Sequence, residues 1–168
     1  MTVAVKNNRG LSIIELIITV VILSILGMLV LPLTQMTAKR TKELELRRNL
    51  REIRTAIDKY KDDYDYAVKQ QKKTNVSLDE SGYPKTLQLL VEGEVDPSDP
   101  KGEKKKKYLR RIPPDPFNPS KGKDKDKMWG LRSTKDKFDS TQWGGEDVFD
   151  VFSLSEETAI DETKYKDW

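Results

Sequence analysis

LSIIELIITVVILSILGMLVLPL, residues 11–33, carries a single charge in 23 positions, Glu15. At helical rise such a run is about 35 Å long, enough to cross the hydrocarbon core of a bilayer. The residues before it include Lys6 and Arg9 and no acid. A cationic flank stays on the cytoplasmic side, so the expected orientation is amino terminus in, with Ala38 and everything after it outside. A cleaved secretory signal is the alternative. Its apolar part is usually shorter and ends at a small-x-small site, whereas Pro32 and Leu33 here lead into Gln-Met-Thr-Ala-Lys-Arg.

Beyond the apolar run the helical pattern continues. Leu46, Leu50, Ile53, Ile57, Tyr60 and Tyr64 recur at spacings of four and three among dense charges, which gives one apolar stripe on an otherwise solvated helix. Apart from Pro32, the stretch from Met28 to Tyr66 holds no glycine or proline. The reading is one long helix from about Leu11 to about Lys69, broken or softened near Pro32, where a helix hydrogen bond is lost. A coiled coil is the competing reading, but only about three heptads are present and the following residues need a core to fold on.

Those following residues are polar with a few apolar islands. Residues 72–81 and 92–107 read as surface loops, with Asp-Pro at 96–97 and 99–100 and four lysines at 104–107. Residues 83–91 suggest a short helix with Pro84 in its first turn. Pro113, Pro114, Pro116 and Pro119 mark a rigid turn around Asp115 and Phe117. Residues 128–133 and 147–154 alternate enough to be strands of a small antiparallel sheet. The expected fold class is α+β: a long amino-terminal helix, half membrane-spanning and half amphipathic, packed on a small antiparallel sheet domain. The divisions are a leader at 1–10, the membrane segment at 11–33, the amphipathic half at 34–70 and a head domain at 71–168.

Composition narrows the chemistry. The chain has 168 residues with 31 basic and 28 acidic side chains, a formal net charge of +3, and neither histidine nor cysteine. So balanced a charge does not point to nucleic acid. Without cysteine there is no disulfide framework, and without histidine no Ser-His catalysis and no common zinc ligand. No Gly-x-x-x-x-Gly-Lys-Ser/Thr string occurs, so an energy source would be another protein. Asp147 and Asp150, the best candidate carboxylate pair for a membrane-tethered hydrolase, fall on opposite faces of a strand because their separation is odd. No enzyme is expected.

Glu15 is the anomaly. A carboxylate in hydrocarbon costs roughly 2.5–3.5 kcal/mol on insertion scales and calls for a partner, unless it snorkels to the headgroup boundary. In a bundle of such helices, a neighbour's terminal ammonium would neutralise it and fix axial register. Its setting, Arg9-Gly10-Leu11-Ser12-Ile13-Ile14-Glu15, resembles the processing signal of the type IV pilin superfamily, with a glycine before the cut and a glutamate at the fifth mature position. The resemblance implies cleavage between Gly10 and Leu11 by a prepilin peptidase and N-methylation of Leu11, where the family usually carries phenylalanine. Pro32 then falls where the family also has a proline.

Within the superfamily the chain is most similar to the major, G-type pseudopilins of type II secretion. The similarity rests on Arg54-Thr55-Ala56-Ile57-Asp58-Lys59-Tyr60, Gly82-Tyr83-Pro84-Lys85-Thr86-Leu87, the turn at 112–117 and Asp147-Val148-Phe149-Asp150-Val151-Phe152-Ser153. The resemblance implies a subunit that polymerises into a short periplasmic filament. Its implied partners are further copies of itself, minor pseudopilins, the peptidase, and an inner-membrane assembly platform with its ATPase. No cofactor is required on this reading. The family does have a calcium site in the loop after the last strand, which would fall on the Leu154 carbonyl, Glu157 and Asp161. A solvated acidic tail is the other reading of that loop. A type IV pilus pilin and a monomeric membrane-anchored binding domain remain the alternatives to the pseudopilin; adhesive pilins usually close their head with a disulfide that this chain cannot form.

Overall fold

The computed structural model describes residue 10 and residues 12–69, 81–95, 105–118 and 128–168, with residues 29–33 and 95 described in their backbone only. The expected loop at 72–81, apart from Ser81, and the middle of the one at 92–107 lie outside the described residues. The chain divides into two compact units, Met1–Arg40 and Thr41–Trp168.

Helix α1 runs Ile13–Lys69. It is assigned as helix through Pro32, so of the expected break or softening there the chain shows no break in the helix. In the first unit, every large aliphatic side chain between residues 13 and 28 is more than half exposed. The two hydroxyls in this stretch turn back on the helix. Thr19 Oγ1 donates to the Leu16 carbonyl at 2.8 Å and Ser24 Oγ to that of Val20 at 2.7 Å. Such back-bonding satisfies both polar groups within the helix and leaves its surface apolar on all sides.

In the second unit the predicted stripe is the core. Leu46, Ile53 and Ile57 have no exposed surface, and Leu50, Tyr60 and Tyr64 are buried beside them. Helix α2 is Leu87–Glu92, shorter than expected, and Pro84 precedes it rather than opening it. The reason is local. Thr86 is the extended N-cap residue, and the Pro84 carbonyl accepts a hydrogen bond from Val148 N–H at 2.8 Å, which ties this stretch to another segment ahead of the helix. Gly93, at φ +81°, ends α2, and its N–H closes on the Leu89 carbonyl at 2.8 Å.

Four short strands follow in two antiparallel pairs. Strands β1 (Glu94–Val95) and β2 (Lys105–Lys106) pair Glu94 with Lys106 and Val95 with Lys105. This corrects the reading of 92–107 as loop alone, and gives part of the lysine run a structural place. Lys106 Nζ reaches Asp63 on α1 at 2.7 Å, and the Tyr60 hydroxyl donates to Glu94. Strands β3 (Trp129–Arg132) and β4 (Asp150–Ser153) form the expected small sheet in the register Trp129 to Ser153 and Arg132 to Asp150. β4 begins at Asp150, so Asp147 precedes it. A 3₁₀ turn, Tyr165–Asp167, closes the described chain.

The core gathers Leu46, Leu50, Ile53 and Ile57 of α1, Leu87 and Leu90 of α2, Leu109 and Ile112 before the proline turn, Trp129 of β3, Val151 of β4, and Tyr165. The proline turn is pinned by its carbonyls: Trp129 Nε1 donates to Pro113 at 2.9 Å and Asn49 Nδ2 to Pro114 at 2.8 Å. Asp115, wholly buried, accepts from Phe117 N–H at 2.8 Å with one oxygen and from Ser153 Oγ–H at 2.6 Å with the other. A buried carboxylate is tolerable only when its oxygens are bonded in this way.

Candidate functional site

The amino-terminal motif places Gly10 and Ser12 ahead of α1, and the Ser12 carbonyl accepts the Leu16 N–H at 3.0 Å. Leu11 lies outside the described residues, as does the rest of the leader. Among the described residues, a Cβ at Gly10 would meet nothing within 4 Å. Glu15 is exposed and stands in the first turn of α1, where a negative charge suits the partial positive charge of the helix start. A continuous exposed apolar surface with one acid at its amino end is unlike the surface of a water-soluble domain. Among the described residues, no helix is long and apolar enough to cross a membrane. Within the expected span of 11–33 the side chains described end at Met28, and residues 29–33 are described in backbone only.

The head places the remaining candidates in two networks. Asp150 does not face Asp147 as a catalytic partner. It is held by Arg54, whose Nε reaches its Oδ1 at 2.7 Å, and by Arg132 at 3.5 Å. The same Arg54 donates to the carbonyls of Val151 at 3.0 Å and Trp168 at 2.9 Å, fastening β4 and the carboxyl-terminal turn to α1. Asp147 instead accepts from Thr134, through its N–H at 2.9 Å and its hydroxyl at 2.5 Å. Burial alone would raise the Asp147 carboxyl, but hydrogen bonds from Ser81, Thr134 and Ser133 outweigh it and hold the group below the usual carboxylate range.

Of the residues expected to hold calcium, Leu154 and Glu157 are exposed and Asp161 is already engaged. Its Oδ2 receives Arg47 at 3.2 Å, and its Oδ1 accepts the Thr163 hydroxyl at 2.6 Å and amide at 3.2 Å. Hydrogen bonds from Thr163 first, and then the Arg47 charge, lower the Asp161 carboxyl below its ordinary value. Calcium needs six to eight oxygens, and among the described residues no three His, Cys, Asp or Glu side chains stand close enough to hold a metal. Sequence reasoning missed Glu43 and Arg47, which reach this loop from α1. Their only advance signal is a spacing of four, which puts both on one helix face.

A long amino-terminal helix with an apolar first half, a glycine–glutamate motif and a small antiparallel head define a type IV pilin-like subunit. Residues 5–31 match the prokaryotic N-terminal methylation motif. Over 115 residues, 67% of this chain, the sequence is 30% identical to the type II secretion system core protein G of Pseudomonas aeruginosa, covering 70% of that protein. It is 29% identical to the core protein G of Dickeya chrysanthemi over 115 residues, covering 65% of that relative. No solved structure matches the chain. The chain belongs to the type II secretion core protein G family, the major pseudopilins.

Proposed function

We propose that this chain is a structural subunit, without catalytic activity, which is cut from its leader, held in the inner membrane by residues 11–33 with its head in the periplasm, and polymerised into a short filament that drives type II secretion. The observation that carries this reading is the 30% identity to a core protein G over two thirds of the chain, joined to the methylation motif at its start. On this reading Gly10 serves the peptidase, since no described residue packs against the position where its Cβ would stand. The exposed aliphatic surface between residues 13 and 28 faces lipid before assembly and neighbouring helices after it. Glu15 pairs with the methylated terminal amine of Leu11 on a neighbouring subunit, which removes two charges from an apolar setting and sets the register. Pro32 lets the helix loosen as a subunit leaves the lipid. Minor pseudopilins, the assembly platform and its ATPase supply initiation and work.

Two measurements test this. Intact-mass analysis of the membrane-extracted protein is expected to show loss of residues 1–10 and gain of one methyl group. Recovery of a chain beginning at Met1 from cells that hold the peptidase would overturn the processing step. Glu15→Ala is expected to insert normally, since removing a carboxylate eases insertion, but to form few filaments by electron microscopy of overproducing cells. Filaments of parental yield and length from that variant would remove Glu15 from the assembly mechanism.

A further inference from the structure

We propose that the carboxyl-terminal loop, residues 154–168, is clamped to α1 by Glu43 and Arg47, and that this side-chain clamp stands in place of a bound cation, so that the head folds independently of divalent ions. One oxygen of Glu43 accepts both the Ile160 N–H at 2.8 Å and the Tyr165 hydroxyl at 2.9 Å. It thereby grips the loop on either side of the bend at 161–164. One turn further along α1, Arg47 reaches Asp161 at 3.2 Å and lies over the Trp168 ring, 4.1 Å from its centroid. Between these holds the loop closes on itself. Ala159 N–H meets the Thr163 carbonyl at 2.7 Å, Thr158 bridges Lys164, and Trp168 Nε1 donates to Thr163 Oγ1 at 2.7 Å. Tyr165 is fully buried and stacks on Phe117 with ring centroids 4.0 Å apart.

A calcium ion orders a loop by drawing carboxylates and carbonyl oxygens around a positive charge. Here the positive charge beside Asp161 is a guanidinium, and a second cation at that carboxylate would be repelled by it. Glu43, in turn, already commits one oxygen to an amide N–H and a hydroxyl, so a metal would have to displace both donors to reach it. The loop's attachment is thus written in acceptor-to-donor contacts from the helix, with its acids turned outward or already neutralised.

The test is thermal unfolding of the full chain in detergent micelles, followed by tryptophan fluorescence, since Trp129, Trp143 and Trp168 all lie in the Thr41–Trp168 unit. Melts in excess calcium chloride and in excess chelator are expected to coincide. Glu43→Gln and Arg47→Met are each expected to lower the melting temperature by about 3–5 °C, equally with and without calcium. A higher melting temperature in calcium, or calcium retained by the purified protein, would overturn the proposal. So would melts of both variants that superimpose on the parent. Arg47 is half exposed, so its variant keeps the core intact and can be read even where Glu43→Gln fails to fold. None of these readouts depends on polymerisation, so they can fail while the filament reading stands, and the reverse.

Discussion

At the scale of single residues, Gly130 shows how an unremarkable position becomes indispensable. It pairs with Phe152 across β3 and β4, and the Phe152 ring lies over the space where a Cβ would project. The ring is buried, and the Arg132 guanidinium sits over it, 4.2 Å from its centroid. Aromatic cover of a strand glycine is a recognised way to pin register. Gly130→Ala is expected to cost about 1–3 kcal/mol, the range for overpacking, because the ring has little room to withdraw. Chemical denaturation of the head would measure it, and a parental midpoint would show that the ring moves freely. Nothing in Met128-Trp129-Gly130-Leu131-Arg132 announces this contact, because alternation tells which face a residue occupies and not what lies across the ladder. Asp115 is similar. The proline-rich turn was legible, but the burial of its carboxylate against Ser153 depends on a residue 38 positions away.

At the scale of elements, legibility follows periodicity. The outer half of α1 could be read residue by residue because a helix packed on one side repeats its apolar positions every three or four residues, and all six named positions are buried. Ile53→Ala therefore tests the reading directly. It removes a fully buried side chain from the centre of the stripe, with an expected loss of about 2–5 kcal/mol. Leu44→Ala on the same helix, largely exposed, should change stability by no more than about 0.5 kcal/mol. Equal losses from the two would refute the facing of the helix. β1 and β2 were not legible, since two residues each give no period and three of the four are charged. Their pairing is supported from α1 instead, by Asp63 and Tyr60. The Glu43–Arg47 clamp was hidden for a related reason: on a helix so dense in charge, the pair that makes tertiary contacts looks like every other pair.

At the scale of the whole molecule, the head combines groups held out of their ordinary ionisation ranges in opposite directions, which sets the pH span of its stability. Hydrogen bonds from Ser81, Thr134 and Ser133 overcome burial to keep Asp147 below the usual range, and Thr163 and Arg47 do the same for Asp161. A depressed carboxyl contributes stability that is present above its unfolded value, about 4, and is lost as pH falls through the folded one. Protonation of Asp147 would leave the Thr134 amide and hydroxyl facing a weaker acceptor, so acid should loosen the 133–147 loop against β4. Tyr165 and Tyr108 are displaced the other way. Burial comes first for both, followed by the carboxylates they donate to, Glu43 and Asp63, and both phenols are pushed well above their ordinary value. For a raised group the stability is fully present below the unfolded value, about 10, and is lost as pH rises toward the folded one. Melting temperature plotted against pH should therefore be flat between about 5 and 9, fall below about 4, and fall again above about 10. Tyr165→Phe separates the alkaline limb from general repulsion. It should lower stability at neutral pH by removing the hydrogen bond to Glu43, yet flatten the loss above pH 10, because one fewer phenol ionises on unfolding. A variant whose alkaline limb matches that of the parent would show that Tyr165 does not carry it, and would leave Tyr108, which donates to Asp63 at 2.7 Å, as the group to replace next.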